Sequence, residues 1–153
     1  MVEPSTLSRR RPVRGAADPM LDRNRAARIT VVDDSSEFLE LMEEFLGREL
    51  GHAVTGLEAV RASVNDVADS RPDLLLVDLL LGDPAQTVNG WEIVLLAKAH
   101  RDLRHVPIIL VTADLVGVKE RAPELEAMTN VHVLTKPFGL DDLEPLVRRL
   151  LTP

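Results

Sequence analysis

Acidic residues in this sequence stand at the ends of short apolar runs. Asp33 and Asp34 follow Ile29 to Val32, and Asp78 follows Leu74 to Val77. Thr112 follows Ile108 to Val111, and Thr135 and Lys136 follow Val131 to Leu134. If those runs are parallel strands of one sheet, the residues just past them share a rim, which is where ligands bind in open α/β sheets. Three carboxylates on one rim repel each other unless a cation joins them. An all-oxygen donor set, with no His or Cys nearby in sequence, favours Mg²⁺ or another hard divalent ion. The Thr112 hydroxyl and the Lys136 ammonium add what a transferring phosphoryl group requires, a donor to one oxygen and a positive charge beside another. The rim therefore reads as a phosphoryl site. Taken singly, each residue also has a plainer reading. Asp33 and Asp34 suit a following helix N-terminus through its dipole, Lys136 could be solvated, and Thr112 could be an ordinary strand residue. Asp78 is harder to dismiss, because an acid bordering a buried strand is costly without a partner.

The elements that must position these residues follow from apolar periodicity. Strands are expected at Ile29–Val32, His52–Thr55, Leu74–Val77, Ile108–Val111 and Val131–Leu134. Helices are expected near Ser36–Leu50, with Leu41 on its apolar side and Phe38 in the core or at its edge, Leu57–Asp69, Gly90–Arg101, with Leu95 and Leu96 on its apolar side, and Leu140–Leu151. Gly51 suits the first helix stop. Pro123 should break or restart any helix within Leu115–Met128. Strands alternating with helices, and a continuously apolar run at Leu74–Val77, specify an α/β doubly wound parallel sheet.

Composition narrows the chemistry. The chain has 153 residues, 45% of them hydrophobic and none of them cysteine. That suits one domain with a real core and excludes thiol nucleophiles, zinc-thiolate sites and iron–sulfur clusters. The four histidines, His52, His100, His105 and His132, have no ligand spacing. Neither phosphate-cradling glycine motif is present. No apolar run is long enough to span a bilayer, and the default address is cytoplasmic. Residues 1–28 hold seven arginines against Glu3, Asp18 and Asp22, while the whole chain carries −7. They read as a basic, disordered N-terminal arm, with a start at Met20 as an alternative, and residues 29–153 as the folded domain. So acidic a body argues against binding nucleic acid through its folded surface.

The segments Ile-Thr-Val-Val-Asp-Asp (29–34), Pro-Asp-Leu-Leu-Leu-Val-Asp (72–78), Pro-Ile-Ile-Leu-Val-Thr-Ala (107–113) and Leu-Thr-Lys-Pro-Phe (134–138) resemble the receiver domains of two-component response regulators. The resemblance implies a flavodoxin-like (βα)5 fold with strand order 2-1-3-4-5. It implies Asp78 as phosphoacceptor, with Asp33, Asp34, Asp78 and the main-chain oxygen of Leu80 holding Mg²⁺. It also implies Thr112 and Lys136 at the phosphoryl oxygens and a cis Lys136-Pro137 bond. The implied donor is a sensor histidine kinase or phosphotransfer protein and the implied output an altered contact with a downstream protein, by a monomer or homodimer. Its only catalysis would be its own phosphorylation and dephosphorylation.

Several positions depart from the family pattern. Gly82 replaces a common proline, and Gly82 to Asn89 is longer than usual before Asn89-Gly90, the counterpart of an Asp-Gly pair. Val133 replaces a common Tyr or Phe, Leu80 is apolar, and Pro123 interrupts the fourth helix. Two other classes therefore stand beside the phosphoacceptor: a phosphorylation-independent interaction module, and a Mg²⁺-dependent phosphohydrolase with an aspartyl-phosphate intermediate. The hydrolase would want an acid two residues after its nucleophile, where this chain has Leu80. Because residues 1–19 lack the periodicity needed to pack on a sheet, their deletion is expected to change unfolding free energy by less than ~1 kcal/mol in urea titration; a larger loss would show that they dock.

Overall fold

The computed structural model describes residues 26–58, 63–79 and 90–152. Five strands form one parallel sheet in the order β2-β1-β3-β4-β5. They are β1 (Arg28–Asp33), β2 (Ala53–Glu58), β3 (Leu74–Asp78), β4 (Ile108–Thr112) and β5 (Val131–Thr135). The expected strand order is thus the observed one.

The central strands explain their own apolar runs. Successive side chains point to opposite faces, so a strand covered on both sides must be apolar at every position. Ile29, Val31, Leu74, Leu76, Ile109 and Val111 face one core, while Val32, Leu75, Val77, Ile108 and Leu110 face the other. The first core is closed by α1 (Ser36–Met42), its π-helical continuation Glu43–Glu49, and α6 (Leu140–Leu151). The second is closed by α2 (Val64–Asp69) and α3 (Gly90–Ala99), with Val118 of α4 (Leu115–Glu120) and Leu125 of α5 (Ala122–Ala127) packed against it.

Several boundaries differ from expectation. The second helix does not begin at Leu57: β2 runs on to Glu58, held in register with Asp33 of β1. The helix starts only after Ser63, whose hydroxyl accepts from Asp66 N–H while the Asp66 carboxylate accepts from Ser63 N–H. That reciprocal cap satisfies backbone donors that lack partners in the first turn. The first helix changes to wider turns at Glu43. Leu41, Leu95 and Leu96, expected on buried faces, are exposed, since a helix covers a sheet with one stripe only. Pro123 does restart the helix, opening α5 after a break at Arg121. Gly51 adopts φ 84°, a left-handed conformation that favours glycine at a helix stop.

Arg28, expected in the N-terminal arm, opens β1, and Ala27, also expected there, is joined to the end of the sheet. Ala27 is buried and its carbonyl accepts from Ala53 N–H at 2.8 Å, while Arg28 N–H donates to Asp73 Oδ2 at 2.8 Å. Residues 1–25 lie outside the described residues. Among those described, no helix is long and apolar enough to cross a membrane.

His52 secures this junction by accepting Ala27 N–H at Nδ1, 3.1 Å away. Burial, then Arg148, hold its pKa below the ordinary 6.5, with Asp73 pulling the other way. Burial lowers His132 as well, with Arg149 and Lys98 adding to it. A histidine pKa lower in the folded than in the unfolded chain gives stability that is full above the unfolded value and lost as pH falls through the folded one. Unfolding free energy from urea titration is therefore expected to decline between about pH 7 and pH 5. His52→Gln should remove part of that decline and leave the share due to His132; an unchanged slope would clear His52 of the effect.

Candidate functional site

Parallel register brings the strand ends level. Val32 pairs with Val77, Asp78 with Val111, and Thr112 with Thr135, so Asp33, Asp78, Thr112 and Lys136 emerge along one edge. The strand order reverses at β1 and β3, so the two aspartates flank the crevice where helices leave toward opposite faces.

Asp33 is 1% exposed, with Oδ1 accepting from Ser35 N–H at 2.9 Å. Its Oδ2 lies 3.2 Å from Lys136 Nζ, and the same nitrogen lies 3.2 Å from Asp78 Oδ2. The Asp78 side chain keeps 13% of its surface in solvent, and Asp34 is exposed. One carboxylate oxygen from each aspartate lies within 4.8 Å of the others. At that spacing two carboxylates repel by about 3.5 kcal/mol or more in a medium of effective dielectric ~20. One ammonium among three carboxylates leaves the crevice negative, and its oxygen-only donors fit a hard divalent cation such as Mg²⁺.

The electrostatics follow from burial and pairing. Burial pushes the Asp33 carboxyl above its ordinary 3.8, against the pull of Ser35 N–H and Lys136, while Asp78 adds to the rise. Burial alone would lower Lys136, but Asp33 and Asp78 outweigh it and hold the ammonium above 10.5. Lys136 is therefore charged at neutral pH.

Thr112 is fully buried and its Oγ1 accepts from Asp114 N–H at 2.9 Å, leaving the hydroxyl proton to donate. Its carbonyl accepts from Lys136 N–H at 2.8 Å, tying the end of β4 to the lysine backbone. The Lys136-Pro137 bond is cis, as the resemblance implied. Leu80 and the 81–89 segment, including Gly82 and Asn89, lie outside the described residues. Val133 is half-buried and packs, like Val118, Leu125 and Met128, against the core that includes Leu75, Ile108 and Leu110. Among the described residues no histidine joins a group able to hold a metal.

Ser35 and Phe38 were not assigned to the site from sequence, and Gly90 was read only as part of the Asn89-Gly90 counterpart of an Asp-Gly pair. Ser35 caps α1, accepting from Phe38 N–H at 3.1 Å, and also clamps Asp33. Phe38, expected simply to pack in the core or at its edge, stands beneath the Lys136 ammonium at 4.3 Å from Nζ to ring centroid. Gly90 lets α3 begin directly against the end of β3. The sequence signals were present but local: Ser35 follows the acidic pair, and Phe38 lies one turn further on.

The match to known proteins agrees with this geometry. Residues 29–148 match the family model described as response regulator receiver domain, and the chain belongs to that family. Among curated proteins it is 34% identical over 98 residues to the polar-differentiation response regulator DivK of Brucella anthropi, covering 61% of this chain and 72% of that one. DivK of Brucella ovis is 33% identical over the same length. The receiver domain of sensor histidine kinase PA1611 from Pseudomonas aeruginosa, solved with a magnesium ion coordinated in its active-site cleft, superposes with a TM-score of 0.70. It is 28% identical, covering 84% of this chain and all of that one. The chemotaxis response regulator CheY4 of Vibrio cholerae shares the fold, with a TM-score of 0.68 at 22% identity over 82% of this chain and 99% of that one. The chain is thus a DivK-like receiver of a two-component system, a signalling module rather than a conventional enzyme.

A Cβ built on Gly90 would stand 1.8 Å from the carbonyl oxygen of Asp78, a backbone atom that cannot swing aside. Gly90→Ala must therefore part α3 from β3. Urea titration is expected to show a loss of at least ~1–3 kcal/mol, the range for overpacking a well-packed interior; wild-type stability would show that the close approach is not obligatory.

Proposed function

We propose that this chain accepts a phosphoryl group on Asp78 from a phosphohistidine of a sensor kinase or phosphotransfer protein, and signals through changed contact with a downstream protein in the cytoplasm. The observation that carries this reading is Lys136 Nζ, shared at 3.2 Å between Asp33 and Asp78 inside a cluster of three carboxylates. Of the two carboxylates bound to it, Asp78 is the more open to solvent, whereas Asp33 is enclosed and already engaged by Ser35 and Lys136.

The residues divide the work as their positions allow. Asp33, Asp34 and Asp78, with the main-chain oxygen of Leu80 by family resemblance, are the ligands proposed for Mg²⁺. When bound, that ion supplies the positive charge which lets an anionic phosphoryl group approach an anionic crevice. A carboxylate oxygen of Asp78 attacks phosphorus in line with the P–N bond of the phosphohistidine. The O–P bond forms as the P–N bond breaks, and the electron pair leaves on the imidazole nitrogen. Lys136 neutralises one phosphoryl oxygen and the Thr112 hydroxyl donates to another. With a small acyl phosphate as donor, the same attack expels a carboxylate.

Val133 favours a second reading, a phosphorylation-independent interaction module, because it cannot supply the aromatic ring common at its position in the family. The intact set Asp33, Asp34, Asp78, Thr112 and Lys136 supports the first reading over it. Incubation with Mg²⁺ and acetyl phosphate, followed by intact mass, separates these readings. One stable phosphoryl addition is expected, no addition would favour the interaction module, and turnover of general phosphate esters would favour a hydrolase. Asp78→Asn should fold and lose the addition. Asp34→Ala, like excess chelator, should slow it more than about tenfold by removing a metal ligand. Labelling of Asp78→Asn at the wild-type rate would overturn the assignment of the acceptor.

A further inference from the structure

The Lys136 ammonium has a third partner besides its two carboxylates. Its Nζ lies 4.3 Å from the centroid of the Phe38 ring, well inside the ~6 Å over which a cation is drawn to an aromatic face. The ring is itself held. Ser35 caps the turn that carries it, and Phe138 meets it edge-on, with centroids 6.3 Å apart and planes at 84°. Both rings are half-buried against the core formed by Ile29, Val31 and Leu143.

The ring differs in kind from the carboxylates. The attraction of Lys136 to Asp33 and Asp78 depends on their charge, and both charges are compensated or lost during the reaction. Asp78 becomes an acyl phosphate, a mixed anhydride, on phosphorylation. The ring quadrupole is unchanged throughout. A lysine stem has four rotatable carbons and much rotamer freedom, so a fixed apolar platform with a negative face limits where its ammonium can go.

We propose that Phe38 is a positioning residue that holds the ammonium of Lys136 over the crevice while the carboxylates change charge. This deepens the phosphoacceptor reading and rests on it for its consequence, though not for the contact itself. Phe38 touches no reacting atom; it acts through Lys136.

The test uses the full chain. In the metal-free protein, NMR of the Lys136 Cε methylene protons is expected to show an upfield ring-current shift that Phe38→Leu abolishes and Phe38→Tyr retains. With acetyl phosphate and saturating Mg²⁺, Phe38→Leu should gain mass about 3- to 10-fold more slowly, and Phe38→Tyr at close to the wild-type rate. Mg²⁺ affinity should change less than about twofold, because the ring bears no metal ligand. Phe38 replaced by progressively fluorinated phenylalanines, which keep the ring's shape while weakening its negative face, should slow labelling stepwise. That series also serves if Phe38→Leu folds poorly. An unshifted Lys136 methylene in the wild type, or a labelling rate indifferent to both Phe38→Leu and fluorination, would overturn the proposal. Failure of the wild type to label at all would instead defeat the phosphoacceptor reading, and the methylene shift would still decide the contact.

Discussion

The ammonium of Lys136 is the charge around which the crevice is built. Asp33 is enclosed so far that burial lifts its pKa, and Asp78 and Asp34 bring further negative charge within 4.8 Å. The lysine stands between two of these groups at equal distance, and their attraction outweighs the cost of its own burial. Removing one partner of such a set leaves the others buried and uncompensated, a much larger penalty than losing an exposed ion pair. The same arrangement keeps a residual negative charge, which suits a second, divalent cation.

The sheet places the backbone of Lys136. Its backbone N–H donates to Thr112 carbonyl, the last residue of β4, so the lysine starts from a fixed point relative to the threonine. Parallel register carries that point across β3 to β1 and levels the aspartates with it. Both cores must be apolar for this to hold, which is why β1, β3 and β4 bury nearly every residue.

The ground just beyond Asp78 is as tightly constrained as the charges. Gly90 lies against the Asp78 carbonyl, and a side chain on Gly117 of α4 would meet Leu79 Cδ2 at 3.2 Å. The start of α3 and the start of α4 therefore both rest on the residues that end β3. At the break between α4 and α5, Arg121 holds its guanidinium 5.3 Å from the centroid of Trp91 in α3. Val133, where the family resemblance implied an aromatic ring, packs against the same core as Val118, Leu125 and Met128. A β-branched side chain has few rotamers and cannot sweep out a ring's volume. The crevice is joined to this broken helix by Thr112 Oγ1, which accepts from Asp114 N–H, and by Asp114 Oδ1, which accepts from Gly117 N–H at the start of α4.

The architecture and the principal rim residues were legible in the sequence because both obey short-range rules. Apolar runs broken by helical periods mark buried strands, and in a parallel sheet the residue after each run must lie on the shared rim. Helix starts and stops were less legible, since the end of β2 depends on pairing with β1 and the start of α2 on the Ser63 and Asp66 cap. Leu41, Leu95 and Leu96 carry the right chemistry for a core, yet only the packed sheet decided which stripe of each helix it would cover. The same holds for Phe38. From sequence its ring was a core residue near an acidic pair; that it lies under an ammonium 98 positions away is settled only when β5 and α1 are brought to the same edge. Local pattern determines which residues reach the rim, but which of them touch depends on distances between segments that meet only in the folded chain.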